Sequence, residues 1–284
     1  MPHIDAVDPS LLHAAFLEAF SDYAMDASGT TEARLLLRMQ KNAVDFGVSP
    51  GLYDRNRLVG FTLIGIDTWG DCLTAFDAGT GIVPEYRKKG WAGKLFDHAL
   101  PSLRERGVKR FALEVLRANE PAINAYRRSG FEISRGFRCY VAEADDLRTV
   151  VSTSDVRIGS IVRDDLRDLE GQADWLPSFE NRFGAVDVLP GCVEVVGALE
   201  GRDCVGAAAY CPHLNWLLTL IVDRAHRRHR IGTALIGHLA TLLPSSVSRL
   251  VVQNVDRTDE GMQAFFESLG FVPLVDQYEM VRQV

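Results

Sequence analysis

Apolar positions along this chain follow two rhythms, one of three to four residues and one alternating. The switches between them fall at short clusters of glycine, asparagine, aspartate and basic residues. From Ser10 onward, Leu11, Leu12, Ala15, Phe16 and Phe20 recur on one stripe, which predicts a helix behind a short strand near residues 4–7. A turn-rich stretch over 22–31 precedes a second helix over 32–42, and residues 51–63 read as a hairpin turning at 54–57. Apolar strand segments at 73–76 and at Ile82 and Val83 lead into a helix carrying Leu95, Phe96 and Leu100. A strand over 110–116, a short helix stopping at Ser129-Gly130-Phe131 and a strand pair over 132–142 follow. Residues 145–155 have little periodicity and place a boundary near 148. Beyond it the pattern predicts a helix over 162–170 and strands over 192–199, 204–210 and 216–222, with a turn at 201–203. Strands alternating with helices in this way predict an α/β protein with a mixed sheet.

The pattern also repeats. A shift of 140 carries Arg87, Lys88, Lys89, Gly90 and Ala92 onto Arg227, Arg228, His229, Arg230 and Gly232, and Gly130-Phe131 onto Gly270-Phe271. A register held from a loop to the end of the next helix predicts two copies of one plan, residues 1–148 and 149–284. In the second copy Asp223 stands for Val83, Asp259 for Asn119, Phe266 for Tyr126 and, most consequentially, Arg230 for Gly90.

Composition narrows the function classes. With 284 residues and 47% hydrophobic content the chain can bury two cores. A net charge of -7 argues against broad nucleic-acid or membrane binding. Five cysteines without C-x-x-C spacing, behind a polar N-terminus, fit reduced thiols in the cytoplasm. No apolar run approaches the ~18 residues a membrane helix needs.

The chemistry concentrates at Arg87-Lys88-Lys89-Gly90-Trp91-Ala92-Gly93-Lys94. A strand, a basic turn with glycine and a helix start together form an anion cradle, because first-turn N–H groups lack intrahelical partners and the macrodipole favours negative charge. Gly90 lacks the Cβ that keeps a phosphate from the backbone, and Arg87, Lys88, Lys89 and Lys94 add cationic donors. Neither G-x-x-x-x-G-K-[ST] nor G-x-G-x-x-G occurs in this segment.

The R-x-x-G-x-A spacing of Arg87, Gly90 and Ala92 resembles instead the pantetheine-pyrophosphate loop of the GNAT acyltransferase superfamily. Downstream, the strand over 110–116, Asn119, Pro121, Tyr126 and Gly130-Phe131 look like that superfamily's second signature. The resemblance implies two tandem GNAT-like domains. In each such fold the strand before the loop and the next strand splay apart to admit the pantetheine. It implies acetyl-coenzyme A as acyl donor, held by Ile82, Val83, Arg87, Lys88, Lys89, Gly90, Trp91, Ala92, Gly93, Lys94, Asn119 and Tyr126. The first copy is expected to be the catalytic one and the second a degenerate copy, since Phe266 has no hydroxyl and Arg230 fills the glycine position.

Acyl transfer to an amine proceeds by direct attack on the thioester and requires no nucleophilic side chain and no metal. A backbone N–H near Ile82 or Val83 can polarise the carbonyl. By resemblance Tyr126 protonates the leaving thiolate; an amphipathic core aromatic fits the same position. Asp77 and Glu114 are the candidate bases, each equally readable as a structural carboxylate, and a water chain can replace either. Between the first two helices, Ser21, Asp22, Tyr23 and Asp26 offer an acidic and aromatic set for a small-molecule amine, although solvated loops look similar. His226 and His229 have helical spacing but no third ligand, so no metal site is expected. The sequence leaves open a protein amine acceptor, another acyl donor, and an acyl-coenzyme A-binding regulatory module without turnover.

Overall fold

The computed structural model describes residues 2–22, 27–151, 154–189 and 191–284. The first half runs β1 (His3–Ala6), α1 (Pro9–Ala19), α2 (Glu32–Lys41), β2 (Pro50–Asp54), β3 (Arg57–Trp69), β4 (Cys72–Ile82), α3 (Trp91–Glu105), β5 (Arg110–Leu116), α4 (Glu120–Arg128) and β6 (Glu132–Glu143). The second runs α5 (Ala144–Arg148), β7 (Arg157–Ser160), α6 (Arg163–Asp168), α7 (Gly184–Asp187), β8 (Glu194–Glu200), β9 (Asp203–Cys211), β10 (Trp216–Val222), α8 (Ile231–Leu242), β11 (Arg249–Asp256), α9 (Glu260–Ser268) and β12 (Val272–Gln283).

Local chemistry explains the helix starts. Asp8 accepts from the Ser10 N–H at 2.9 Å and Pro9 begins α1; Thr31 accepts from the Arg34 N–H at 3.2 Å to open α2. Asn119 accepts from the Ala122 N–H at 3.2 Å at the head of α4, and Gly130 ends it in the left-handed region at φ +83°.

The chain packs as two compact units, Met1–Ser134 with Tyr278–Val284, and Arg135–Gln277. Their limits differ from a single cut near 148. Residues 144–148 are helical rather than a linker, and Ala144 and Leu147 are buried in the second core. The expected strand pair over 132–142 is one strand, β6, because Gly136, its sole glycine, forms no left-handed turn.

In the first unit the strand order is β1-β2-β3-β4-β5 followed by the end of β12; in the second it is β7-β8-β9-β10-β11 followed by β6. Each core forms where helices cover its sheet. Phe96, Phe111 and Phe131 meet edge to face at 5.4–5.6 Å in the first, with Met280 fully buried among them. Leu235, Leu239, Leu250, Phe266, Phe271 and Tyr140 form the second. Truncating one such aromatic costs about 3–5 kcal/mol, so these clusters fix where α3, α4, α8 and α9 lie.

Both sheets carry the same irregularity. Opposite β3, Leu63 faces Gly79 and Ile64 faces Asp77, so Ala78 bulges from β4. Opposite β9, Tyr210 faces Leu217 and Ala209 faces Thr219, so Leu218 bulges from β10. The two bulges stand 140 positions apart, and just before each one the neighbouring parallel ladder stops.

Candidate functional site

The β4–β5 ladder pairs Thr74 with Arg110 through Asp77 with Leu113 and ends there, although β4 continues to Ile82 and β5 to Leu116. The strands therefore part beyond the bulge. Asp77 staples that bulge: its carboxylate accepts from the Gly79 N–H at 3.0 Å and from the Thr80 hydroxyl at 2.8 Å. Burial pushes its pKa up to about 6, against the opposing pull of these two donors and of Arg38. Glu114 is the first β5 residue beyond the paired stretch.

Val83 donates its N–H to the Val59 carbonyl at 3.0 Å, so strand alternation turns the Ile82 N–H to the opposite edge, into the gap. A single 3-10 turn, Pro84–Tyr86, then reverses the chain. Lys88 takes φ +61° and Gly90 φ +73°, which aims the first turn of α3 back at the strand ends. A Cβ at Gly90 would meet nothing within 4 Å, so the space above this turn is open. The first-turn N–H groups of α3 carry the positive end of its dipole.

A cavity of about 950 Å³ occupies that space. It brings together Asp22, Ile82, Arg87, Lys88, Gly90, Trp91, Ala92, Gly93, Asn119 and Tyr126 of the sequence-derived set. Its walls also include Ala19, Phe20, Thr80, Gly81, Tyr86, Asp97, Leu116, Ala118 and Arg128, which motif spacing did not single out. Volume, helix start, strand gap and open glycine together fit an extended anionic thioester such as an acyl-coenzyme A.

The remaining residues lie elsewhere. Asp77, Val83, Glu114, Lys89 and Lys94 are not on the cavity wall. Lys89 bends back to the Glu85 carbonyl at 2.9 Å and lies 5.2 Å from the Tyr86 ring, while Lys94 sits 4.1 Å over the Trp91 ring. Tyr126 rests on Phe96 and Phe131 at 5.8 and 6.0 Å. Its ring thus serves the core while the residue also lines the cavity.

Arg87 and Asp22 face each other rather than a ligand. The Arg87 guanidinium bonds both Asp22 carboxylate oxygens at 2.6 and 2.7 Å, the Ala19 carbonyl at 2.8 Å and, through Nε, the Ile82 carbonyl at 2.9 Å. The Arg87 contact holds the Asp22 carboxyl below the usual range. Tyr23 and Asp26 fall outside the described residues.

The second unit repeats this scaffold. Its β10–β11 ladder ends at Leu217 opposite Val252, the Asp223 backbone N–H donates to the Val205 carbonyl at 2.9 Å, and Arg230 caps α8 at φ +60°. Asp259 caps α9 by accepting from the Met262 N–H at 2.9 Å, so its replacement of Asn119 preserves the cap. Its strand gap, however, contains protein. Val251 donates to the Asn215 carbonyl, so alternation turns the Gln253 carbonyl to the same edge, and Asn181 Nδ2 donates to it at 2.7 Å. Asn254, an extra residue at φ +57°, donates to Ser178 Oγ at 3.1 Å beside it. Asp223 and Glu200 hold His226 and raise its pKa, with Asp223 the larger influence.

Comparison with known proteins agrees with this geometry. The model of the Acetyltransferase (GNAT) family matches residues 10–131 and 160–271. Streptothricin acetyltransferase of Streptomyces lavendulae is 42% identical over 74 residues, 26% of this chain. The chain spans only 38% of that relative's length. N-alpha-acetyltransferase 30 of Schizosaccharomyces pombe is 33% identical over 100 residues, 34% of this chain and 67% of the relative. A tandem GNAT protein from the clavulanic acid biosynthesis pathway superposes with a TM-score of 0.75 at 15% identity, covering 100% of this chain and 98% of its own. A GCN5-related N-acetyltransferase from Sphaerobacter thermophilus gives 0.74 at 11% identity over 99% and 95%. At these identities the superpositions speak for the fold alone.

Proposed function

The chain belongs to the acetyltransferase (GNAT) family, and we propose that it is an acyltransferase whose first unit moves an acetyl group from acetyl-coenzyme A to a primary amine of a small molecule. The observation that carries this reading is one continuous cavity running from the Gly90–Gly93 helix start past Ile82 to Asn119 and Tyr126. In it, the α3 first-turn N–H groups and Lys88 bind the diphosphate, and the gap beyond Asp77 and Leu113 admits the pantetheine. The Ile82 N–H points at the thioester oxygen, where negative charge develops during attack. Tyr126 holds the proton that the departing thiolate takes up. Asp77, through water, or Glu114 removes the proton of the incoming amine; a water chain is the remaining route.

The partial match to streptothricin acetyltransferase supports a small-molecule acceptor. A protein N-terminal amine is the second reading, supported by the match to N-alpha-acetyltransferase 30. Thiols rather than disulfides at all five cysteines support a reducing, cytoplasmic setting. No helix among the described residues is long and apolar enough to cross a membrane.

The test is coenzyme A release measured with acetyl-coenzyme A against a panel of small amines and N-terminal peptides. Release that requires a small amine supports the proposal, and release only with peptides selects the second reading. Tight binding without release for any amine makes the chain a regulatory binder, whereas release only with another acyl thioester changes the donor.

A further inference from the structure

We propose that Arg87 is a positioning residue that ties the end of α1 to the turn before α3, rather than a ligand of the diphosphate. The inference rests on the first unit's cavity being the acyl-coenzyme A site. Arg87 projects from the basic motif, where a guanidinium is ordinarily read as an anion receptor. Four of its five N–H donors are nevertheless used inside the protein. Nε bonds the Ile82 carbonyl, Nη1 and Nη2 take the two Asp22 oxygens, and Nη2 also bonds the Ala19 carbonyl. A bidentate grip on a phosphate would break the fork–fork pair with Asp22, a geometry that lysine does not reproduce.

The second unit supplies an independent observation. Arg227 bonds the Val222 carbonyl through Nε at 3.2 Å, the Gln172 carbonyl through Nη2 at 2.6 Å, and the Asp174 carboxylate through Nη1. The three kinds of partner recur: the end of the strand before the turn, a carbonyl at or just past the end of the unit's first helix, and a nearby aspartate. That unit has lost the glycine of its cradle, and its strand gap holds Asn181. A clamp that persists where the phosphate cradle does not is explained by what it holds together.

In the first unit that is one wall of the cavity. Ala19, Phe20 and Asp22 line it along with the α3 turn, so the clamp sets the separation between the end of α1 and the strand that carries Ile82. The same pairing removes Asp22 from the groups available to a cationic amine. Asp22 thus acts on the acceptor through Arg87.

A double-mutant cycle tests this with Asp22→Asn, Arg87→Met, the double variant and Arg87→Lys. Three quantities are read: acetyl-coenzyme A affinity by calorimetry, kcat/KM for the amine, and amide exchange of residues 19–22 in the free protein. In the wild-type background Asp22→Asn lowers kcat/KM for the amine by about fivefold, the scale of a partly exposed ion pair. In the Arg87→Met background it has no further effect. Acetyl-coenzyme A affinity stays within about threefold in every variant. Exchange at 19–22 accelerates with Asp22→Asn and Arg87→Met alike, and Arg87→Lys falls between them and wild type. A large loss of acetyl-coenzyme A affinity confined to the Arg87 variants would overturn the proposal and make Arg87 a phosphate ligand; additive effects, or unchanged exchange, would also overturn it. Failure of the wild-type protein to bind acetyl-coenzyme A would sink the function instead, while exchange in the free protein would still decide the clamp.

Discussion

Gly90 and Arg230 adopt the same backbone conformation, φ +73° and ψ 14° against φ +60° and ψ 15°, each capping the helix that follows its basic turn. Lys88 and Arg228, two residues earlier, match as well at φ +61° and +69°. The turn therefore does not need glycine in order to form. What glycine leaves in the first unit is open space above the helix start, since a Cβ there meets nothing within 4 Å.

Gly90→Arg, which copies the second unit, should consequently fold. It should cost about 1–2 kcal/mol for a side chain in the left-handed region, while acetyl-coenzyme A affinity falls on the order of tenfold or more. Arg230→Gly should leave the affinity and the acetylation rate unchanged. Calorimetry and thermal melts on both variants check this, and equal losses of affinity would show that both units bind.

Tyr126→Phe separates the acid from the core aromatic. Phe266, at the equivalent place, packs on Phe271 at 5.1 Å much as Tyr126 packs on Phe131 at 6.0 Å, so the ring contacts survive loss of the hydroxyl. Stability and acetyl-coenzyme A affinity should hold while kcat falls about a hundredfold, the low end of general-acid contributions. An unchanged kcat would assign the residue to the core alone.

Asp77 should impose a pH dependence on the first unit. Its native pKa of about 6 lies above the ordinary 3.8, so the folded state binds this proton more tightly than the unfolded chain does. The corresponding stability is complete below about pH 4 and is lost as pH rises through 6. The loss between these two values is roughly 3 kcal/mol. Chemical denaturation between pH 4 and 7 should show this decline in wild type and not in Asp77→Asn. If Asp77 is also the base, kcat/KM rises through the same interval and the variant loses that limb.

Adjacent residues carry the helix caps and turns of this fold, and distant partners do not show in them. Gly90, Asn119 and Gly130 lie at single turns or helix ends, where capping and backbone conformation are written in adjacent residues, and the 140-residue shift repeats those same local signals. The motif alone points Arg87 at a phosphate, and its contact with Asp22, 65 positions away, leaves no mark on local spacing. Asp259 differs from Asn119 in the sequence, yet both side chains accept the equivalent first-turn N–H. Asn181 in the second strand gap was likewise invisible, since its acceptor is a backbone carbonyl that any residue at 253 supplies. The composition of the two units escaped for a related reason. Residues 132–143 and 272–283 both follow a Gly-Phe helix stop and both form strands, so periodicity cannot choose which sheet each completes.

That choice yields a last expectation, removal of Tyr278–Val284. None of these residues lines the cavity, and a boundary near 148 gives them no part in the first unit. Yet Met280 is fully buried with Phe111 and Leu113, and the Val284 N–H donates to the Lys109 carbonyl at 3.1 Å. Arg282 bonds the Ser129 carbonyl at 2.5 Å and lies 5.7 Å from the Phe131 ring. Ser129 closes α4, the helix that carries Tyr126 and is capped by Asn119, so losing Arg282 loosens that wall of the cavity. Met280→Ala alone should cost about 2–5 kcal/mol, and deletion of all seven residues should cost more because it also bares the edge of β5. The truncated chain should therefore melt at a lower temperature and lose acetyl-coenzyme A binding, with Arg282→Ala weakening binding at a smaller stability cost. A truncated chain with unaltered melting and full affinity would return the last strand to the second unit.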